Sequence, residues 1–101
     1  MAHKPTMYLI DVTNRDGVQT SRICLSKLQK TMLNHYLDEM GVFQSEFGFP
    51  MTKHETNYLN ANLELAKMGA LSPIRLSGWI RATKEDVLAT FKLTPEIKYL
   101  N

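Results

Sequence analysis

Residues 10–19 read Ile-Asp-Val-Thr-Asn-Arg-Asp-Gly-Val-Gln, placing an arginine, a carboxylate, a glycine and an amide together as Arg15, Asp16, Gly17 and Gln19. Asp16-Gly17 alone is an ordinary turn dipeptide, because glycine tolerates unusual backbone angles and a short carboxylate bonds its own backbone. That reading leaves two residues without a reason. Asp11 interrupts the apolar run from Tyr8 to Val12, and Arg15 stands directly beside Asp16. A permanent cation beside a carboxylate, where a buried strand ends, is a candidate for binding or catalysis. Glu46 and Arg81 occupy comparable places after two later apolar segments.

The elements that must position these residues can be read from periodicity. Met7 to Thr13 is apolar and β-rich, and is expected as strand one. Ser26-Lys27-Leu28-Gln29 has capping-box spacing, in which the hydroxyl and the amide three residues later satisfy each other's backbone groups. Leu28, Met32, Leu33, Tyr36, Leu37 and Met40 then recur at helical spacing, predicting one inward stripe, and Gly41 supplies the stop. Val42 to Phe47 is predicted as strand two, ended by Gly48-Phe49-Pro50. Thr52-Lys53-His54-Glu55 repeats the capping-box spacing, and the following helix carries Tyr58, Leu59, Asn62, Leu65 and Ala66 before Gly69. Ile74 to Ile80 is the third strand. Thr83-Lys84-Glu85-Asp86 opens a third helix with Val87, Leu88 and Phe91 expected inward and acidic residues at its positive end. Pro95 closes it before strand-like residues from Ile97 to Leu100.

The order β-α-β-α-β-α-β implies parallel pairing through right-handed crossovers. Either a doubly wound sheet or a segment of a (β/α)8 barrel would satisfy it. A glycine-rich phosphate loop after strand one would favour the first, but that turn offers only Gly17. A barrel collects its active-site groups in the loops after its strands. Arg15, Asp16 and Gln19 follow strand one, Glu46 ends strand two and Arg81 follows strand three, so polar residues stand at three consecutive strand ends.

Bulk composition excludes several classes. The chain has 101 residues, 44% hydrophobic and 22% charged, which is one globular domain at most. A net charge of +2 with scattered basic residues does not suggest nucleic acid. No apolar run approaches the ~18 residues of a membrane span. The polar start, Met-Ala-His-Lys-Pro, lacks the apolar core of a secretory leader, so a cytoplasmic location is expected, with no membrane partner. Cys24, the single cysteine, allows no internal disulfide and is expected to be a small buried side chain. His35 and His54 are expected on the solvent faces of helices, and Trp79 in packing.

"IDVTNRDGVQ" resembles the signature of the acetyl-CoA-condensing enzymes related to 2-isopropylmalate synthase and homocitrate synthase. In that signature a strand with an internal Asp-x-Thr leads into Leu-Arg-Asp/Glu-Gly-x-Gln, and a lysine follows eleven residues after the glutamine. Arg15, Asp16, Gly17 and Gln19 match, and Lys30 has the required spacing. "SEFGFP" at residues 45–50 is similar to the family's Glu-Ala-Gly-Phe-Pro, and "LSGWIRA" at 76–82 to its third strand. Asn14 stands where leucine is usual and Val18 where glutamate is common, departures that mark a subgroup such as the (R)-specific citrate synthases or divergent homocitrate synthases.

The resemblance implies a (β/α)8 TIM barrel and a Claisen-type condensation of acetyl-CoA with a 2-oxo acid at a divalent metal, Mg, Mn or Zn. It implies Asp16 as the carboxylate ligand to the metal and Arg15 as the cation facing developing negative oxygen. Glu46 would hold Arg15 in place, Gln19 would bond near the oxo acid, and Arg81 would join them in binding substrate. The family's His-x-His ligand pair is absent from this sequence. Residues 1–101 are therefore expected to be the first three βα units and the start of strand four, with the remaining ligands supplied from outside this chain. The chain would be truncated, and a homodimer at full length, or one subunit of a split enzyme. A non-catalytic α/β binding module and a structural half-barrel pairing its open edges are the alternatives from other classes.

Overall fold

A computed structural model describes residues 6–19 and 24–101. Four strands and three helices alternate along the chain: β1 (Ile10–Asp11), α1 (Lys27–Glu39), β2 (Gln44–Gly48), α2 (Thr56–Lys67), β3 (Arg75–Gly78), α3 (Lys84–Leu93) and β4 (Tyr99–Leu100). All pairings are parallel, and the strands lie in the order β1-β2-β3-β4. Neighbours in sequence are neighbours in space, as in a barrel. A doubly wound sheet would reverse the order at its crossover point.

Local signals account for most element ends. Ser26 and Gln29 form the capping box that opens α1. Gly41 and Gly69 adopt positive φ just after α1 and α2, a conformation that costs glycine little. Thr83 accepts a hydrogen bond from the Asp86 amide and caps α3. The second capping-box expectation fails. Thr52 makes no capping bond, a 3-10 turn over Lys53–Glu55 precedes α2, and the Glu55 carboxylate is engaged elsewhere.

The core is formed by Leu37, Phe47, Tyr58, Leu59, Leu71, Ile74, Leu76 and Ile97. The expectations for strand one, α1, α3, Cys24 and His35 need correction. Strand one is two residues long rather than running from Met7 to Thr13. It is an edge strand with one neighbour, so Tyr8 (64%), Leu9 (71%) and Ile10 (50%) stay exposed.

On α1 the predicted stripe is split: Leu37 is buried and Leu33 packs against the core, whereas Leu28, Met32, Tyr36 and Met40 are exposed. The buried residues of that helix are Asn34 and Leu37. On α3, Leu88 and Phe91 are likewise exposed, and Asp86 and Thr90 are buried. Asp86 accepts bonds from the Arg81 backbone and side chain, which turns the Asp86–Thr90 row inward. Cys24 is exposed, contrary to expectation. His35 is half-buried, not solvent-facing.

Candidate active site

The turn after β1 is built from one carbonyl. Val12 O accepts from the amides of Arg15, Asp16 and Gly17 at 3.1, 2.8 and 3.1 Å. Asp11, odd within its apolar run, accepts from the Thr13 amide at 2.9 Å and so starts the bend. The turn delivers Arg15 to the C-terminal end of the sheet, where β2 presents Glu46.

Arg15 Nε donates to Glu46 Oε1 at 3.1 Å, and Arg15 Nη1 lies 3.4 Å from Asp16 Oδ1. Glu46 is enclosed, its side chain 7% exposed, whereas the Asp16 side chain is 63% exposed. Arg15 Nη2 meets no acceptor among the described residues. The Arg15 guanidinium carbon lies 5.4 Å from the centre of the Trp79 ring. This cluster can present a fixed cationic edge to an anionic oxygen beside an accessible carboxylate.

A second layer holds the loops. Lys30 Nζ donates to Glu55 Oε1 at 3.0 Å, and Glu55 Oε2 accepts from the Phe49 amide at 2.6 Å. A Cβ on Gly48 would lie 2.5 Å from Glu55 Oε2, so glycine is what permits this approach. Gln19 is exposed, and its side chain lines a cleft of about 530 Å³ with Lys30, Phe49, Glu55 and Cys24.

Beneath the turn, Asn14 is fully buried. Its Nδ2 donates to Lys30 O and to Asn34 Oδ1, both at 2.9 Å. Asn34 in turn donates to the Tyr58 hydroxyl and to Asn62, and accepts from Ser45. Burial pushes the Tyr58 phenol well above its ordinary range.

Arg81 does not join the Arg15 cluster. Its Nε and Nη2 donate to Asp86 at 3.0 and 2.9 Å, leaving the rest of the side chain largely exposed. Those hydrogen bonds hold the Asp86 carboxyl below the usual carboxylate range. Among the described residues no three His, Cys, Asp or Glu side chains gather as a metal site, and no helix is long and apolar enough to cross a membrane.

Residues 6–98 match the HMGL-like family. The chain belongs to the HMGL-like family. The parallel sheet with sequential strand order is the N-terminal part of the HMGL-like barrel. Among HMGL-like relatives, a citrate (Re)-synthase from Dehalococcoides mccartyi is 64% identical over 94% of this chain and 23% of its own length. A homocitrate synthase from Methanocaldococcus jannaschii is 47% identical over 45% of the chain and 11% of its own length. A 2-isopropylmalate synthase from Caldanaerobacter subterraneus is 33% identical over 80% of the chain and 20% of its own length. The chain thus spans less than a quarter of each of these relatives.

The sequence places Trp79 only in packing and does not pair Lys30 with Glu55, whereas the structure sets both beside the Arg15 turn. The available signal for Trp79 was its position at the C-terminal end of strand three, the end that carries Arg15 and Glu46. In the sequence Lys30 is a spacing match and Glu55 a helix start, 25 residues apart, with nothing to join them.

Proposed function

We propose that residues 1–101 are the N-terminal part of a TIM-barrel acyltransferase that condenses acetyl-CoA with a 2-oxo acid at a divalent metal. The observation that carries this reading is Arg15, held by Glu46 on one edge and beside Asp16 at the C-terminal end of the sheet, with Nη2 unpaired among the described residues. The 64% identity to a citrate (Re)-synthase supports oxaloacetate as the acceptor. A cytoplasmic homodimer belongs to the same reading.

Each residue then has a physical task. The acetyl methyl carbon, once a base from outside this chain has taken its proton, forms the carbon–carbon bond to the acceptor carbonyl and leaves negative charge on its oxygen. The Arg15 guanidinium faces that oxygen with rigidly splayed donors. The oxygen is then protonated, and water hydrolyses the thioester to release the CoA thiol. Glu46 keeps the guanidinium from turning away. Gln19 donates to or accepts from the oxo acid at the mouth of the cleft. Arg81, two of whose nitrogens are engaged by Asp86, retains Nη1 for a substrate carboxylate.

Asp16 suits a hard or borderline cation, being an exposed oxygen donor with one oxygen clear of Arg15. A bound cation would polarise the acceptor carbonyl. The other protein ligands would come from outside this chain.

The test is thiol release from acetyl-CoA by the full-length protein with added divalent metal. Turnover is expected with oxaloacetate in preference to 2-oxoglutarate, pyruvate or 2-oxoisovalerate, and none is expected from residues 1–101 alone. Arg15→Ala should lower kcat by roughly 10²-fold or more, as for a lost oxyanion contact, and Asp16→Ala should abolish metal-dependent turnover. Undiminished activity of Asp16→Ala would reduce residues 14–17 to a turn.

A further inference from the structure

Among the described residues Arg15 is held by hydrogen bonds at Nε and Nη1 only, and the second of these is long at 3.4 Å. Two contacts on adjoining edges restrain the guanidinium in its own plane but oppose tilting weakly. The Trp79 ring supplies the missing restraint. Its centre lies 5.4 Å from the Arg15 guanidinium carbon, within the range where an indole face attracts a cation. The ring is itself anchored. The Trp79 amide donates to Gly48 O at 3.0 Å, and Phe49 meets the indole edge-on at 5.7 Å and 79°. Glu55 fixes the Phe49 amide and is fixed in turn by Lys30.

We infer that Trp79 is a positioning residue: its face fixes the tilt of the Arg15 guanidinium so that the open Nη2 edge is aimed before substrate arrives. The chain of restraint runs from Lys30 through Glu55 and Phe49 to Trp79 and Arg15. It joins the loops after β1, β2 and β3. A residue that merely packed would change stability when truncated, whereas an aiming residue changes kcat in a protein that stays folded. The effect on turnover rests on the reaction proposed above; the Arg15–Trp79 contact does not.

The experiment has two readouts on the full-length protein. Biosynthetic 5-fluorotryptophan gives each indole a fluorine resonance, and the one lost in Trp79→Phe belongs to residue 79. That resonance should move in Arg15→Ala while other tryptophan signals stay. An unmoved resonance would overturn the contact.

In the thiol-release assay with oxaloacetate, Trp79→Leu should lower kcat about tenfold, the scale of a partly desolvated cation–π contact. The oxaloacetate KM should stay within about threefold, and Trp79→Phe should recover most of kcat. If Trp79→Leu fails to fold, Trp79→Met fills similar volume without a π face and carries the same comparison. Undiminished kcat in a folded variant lacking the ring would overturn the positioning role. A wild-type protein without turnover on any 2-oxo acid, in which the resonance still moves, would overturn the proposed reaction and uphold the contact.

Discussion

Asn14 is one of two places where this chain leaves the usual pattern of the enzymes it resembles, and its surroundings give the physical reason. A leucine there would press an apolar branch against the Asn34 amide. Asn14 donates to that amide instead, and Asn34 passes the bonding on to Tyr58, Asn62 and Ser45. A buried amide is tolerated when its groups are paired, and a network of this kind fixes one arrangement. Asn14 Oδ1 is the one open end, buried without a partner among the described residues. Asn14→Ala takes one of two donors from Asn34 Oδ1 and leaves a void under the Arg15 turn. It should destabilise the protein by about 1–3 kcal/mol in urea denaturation. A variant as stable as the wild type would mean that the amide cluster contributes nothing to folding.

At the scale of elements, the loops after the strands are fixed by close approaches that only glycine allows. A Cβ on Gly78 would lie 2.5 Å from Pro50 Cγ, so the end of β3 can sit against the Gly48–Phe49–Pro50 loop only without one. The start of α3 depends on charge. Arg81 donates to Asp86 through its backbone amide and two side-chain nitrogens. Because these bonds lower the folded-state pKa of Asp86, their contribution is fully present above the unfolded value, ~3.9 for Asp. It is lost as pH falls below that and through the folded value. Thermal melts of the wild type and Asp86→Asn should therefore differ most near neutral pH and converge as pH drops below about 4. A constant gap down to the acid limit would show that the carboxylate's charge is irrelevant to α3.

For the whole molecule, the deciding feature is a parallel sheet that is open among the described residues. Strands β1 and β4 each have a single strand neighbour. Tyr8, Leu9 and Ile10 line the β1 side, and Tyr99 and Leu100 the other, all exposed. Unpaired apolar edges invite association. Residues 1–101 on their own should elute from size exclusion as concentration-dependent oligomers, and Leu9→Lys should shift them toward monomer. A monodisperse monomer across a wide concentration range would show that these edges are protected in solution.

The sequence by itself determined the alternation of strands and helices, most of their ends, and the end of the sheet at which polar residues gather. Those features depend on neighbours a few residues apart: a serine and glutamine closing a capping box, glycines ending helices, apolar runs too short for anything but strands. The alternation alone left a doubly wound sheet or a barrel open; the barrel that the resemblance implies has sequential strand order, and the structure has it. Tertiary structure alone decided that Asn34 joins Leu37 on the inner side of α1 while Leu28, Met32, Tyr36 and Met40 stay out, and that Asp86 and Thr90 rather than Leu88 and Phe91 are buried on α3. Periodicity counts Asn34 and Asp86 as polar, but hydrogen bonds from Asn14, Ser45 and Arg81 remove the cost of burying them. Tertiary structure likewise chose the partners of Arg15. Glu46 lies 31 residues away along the chain, and Trp79 reaches Arg15 from a third strand. A contact that depends on the pairing register of three strands leaves no periodic trace in any one of them.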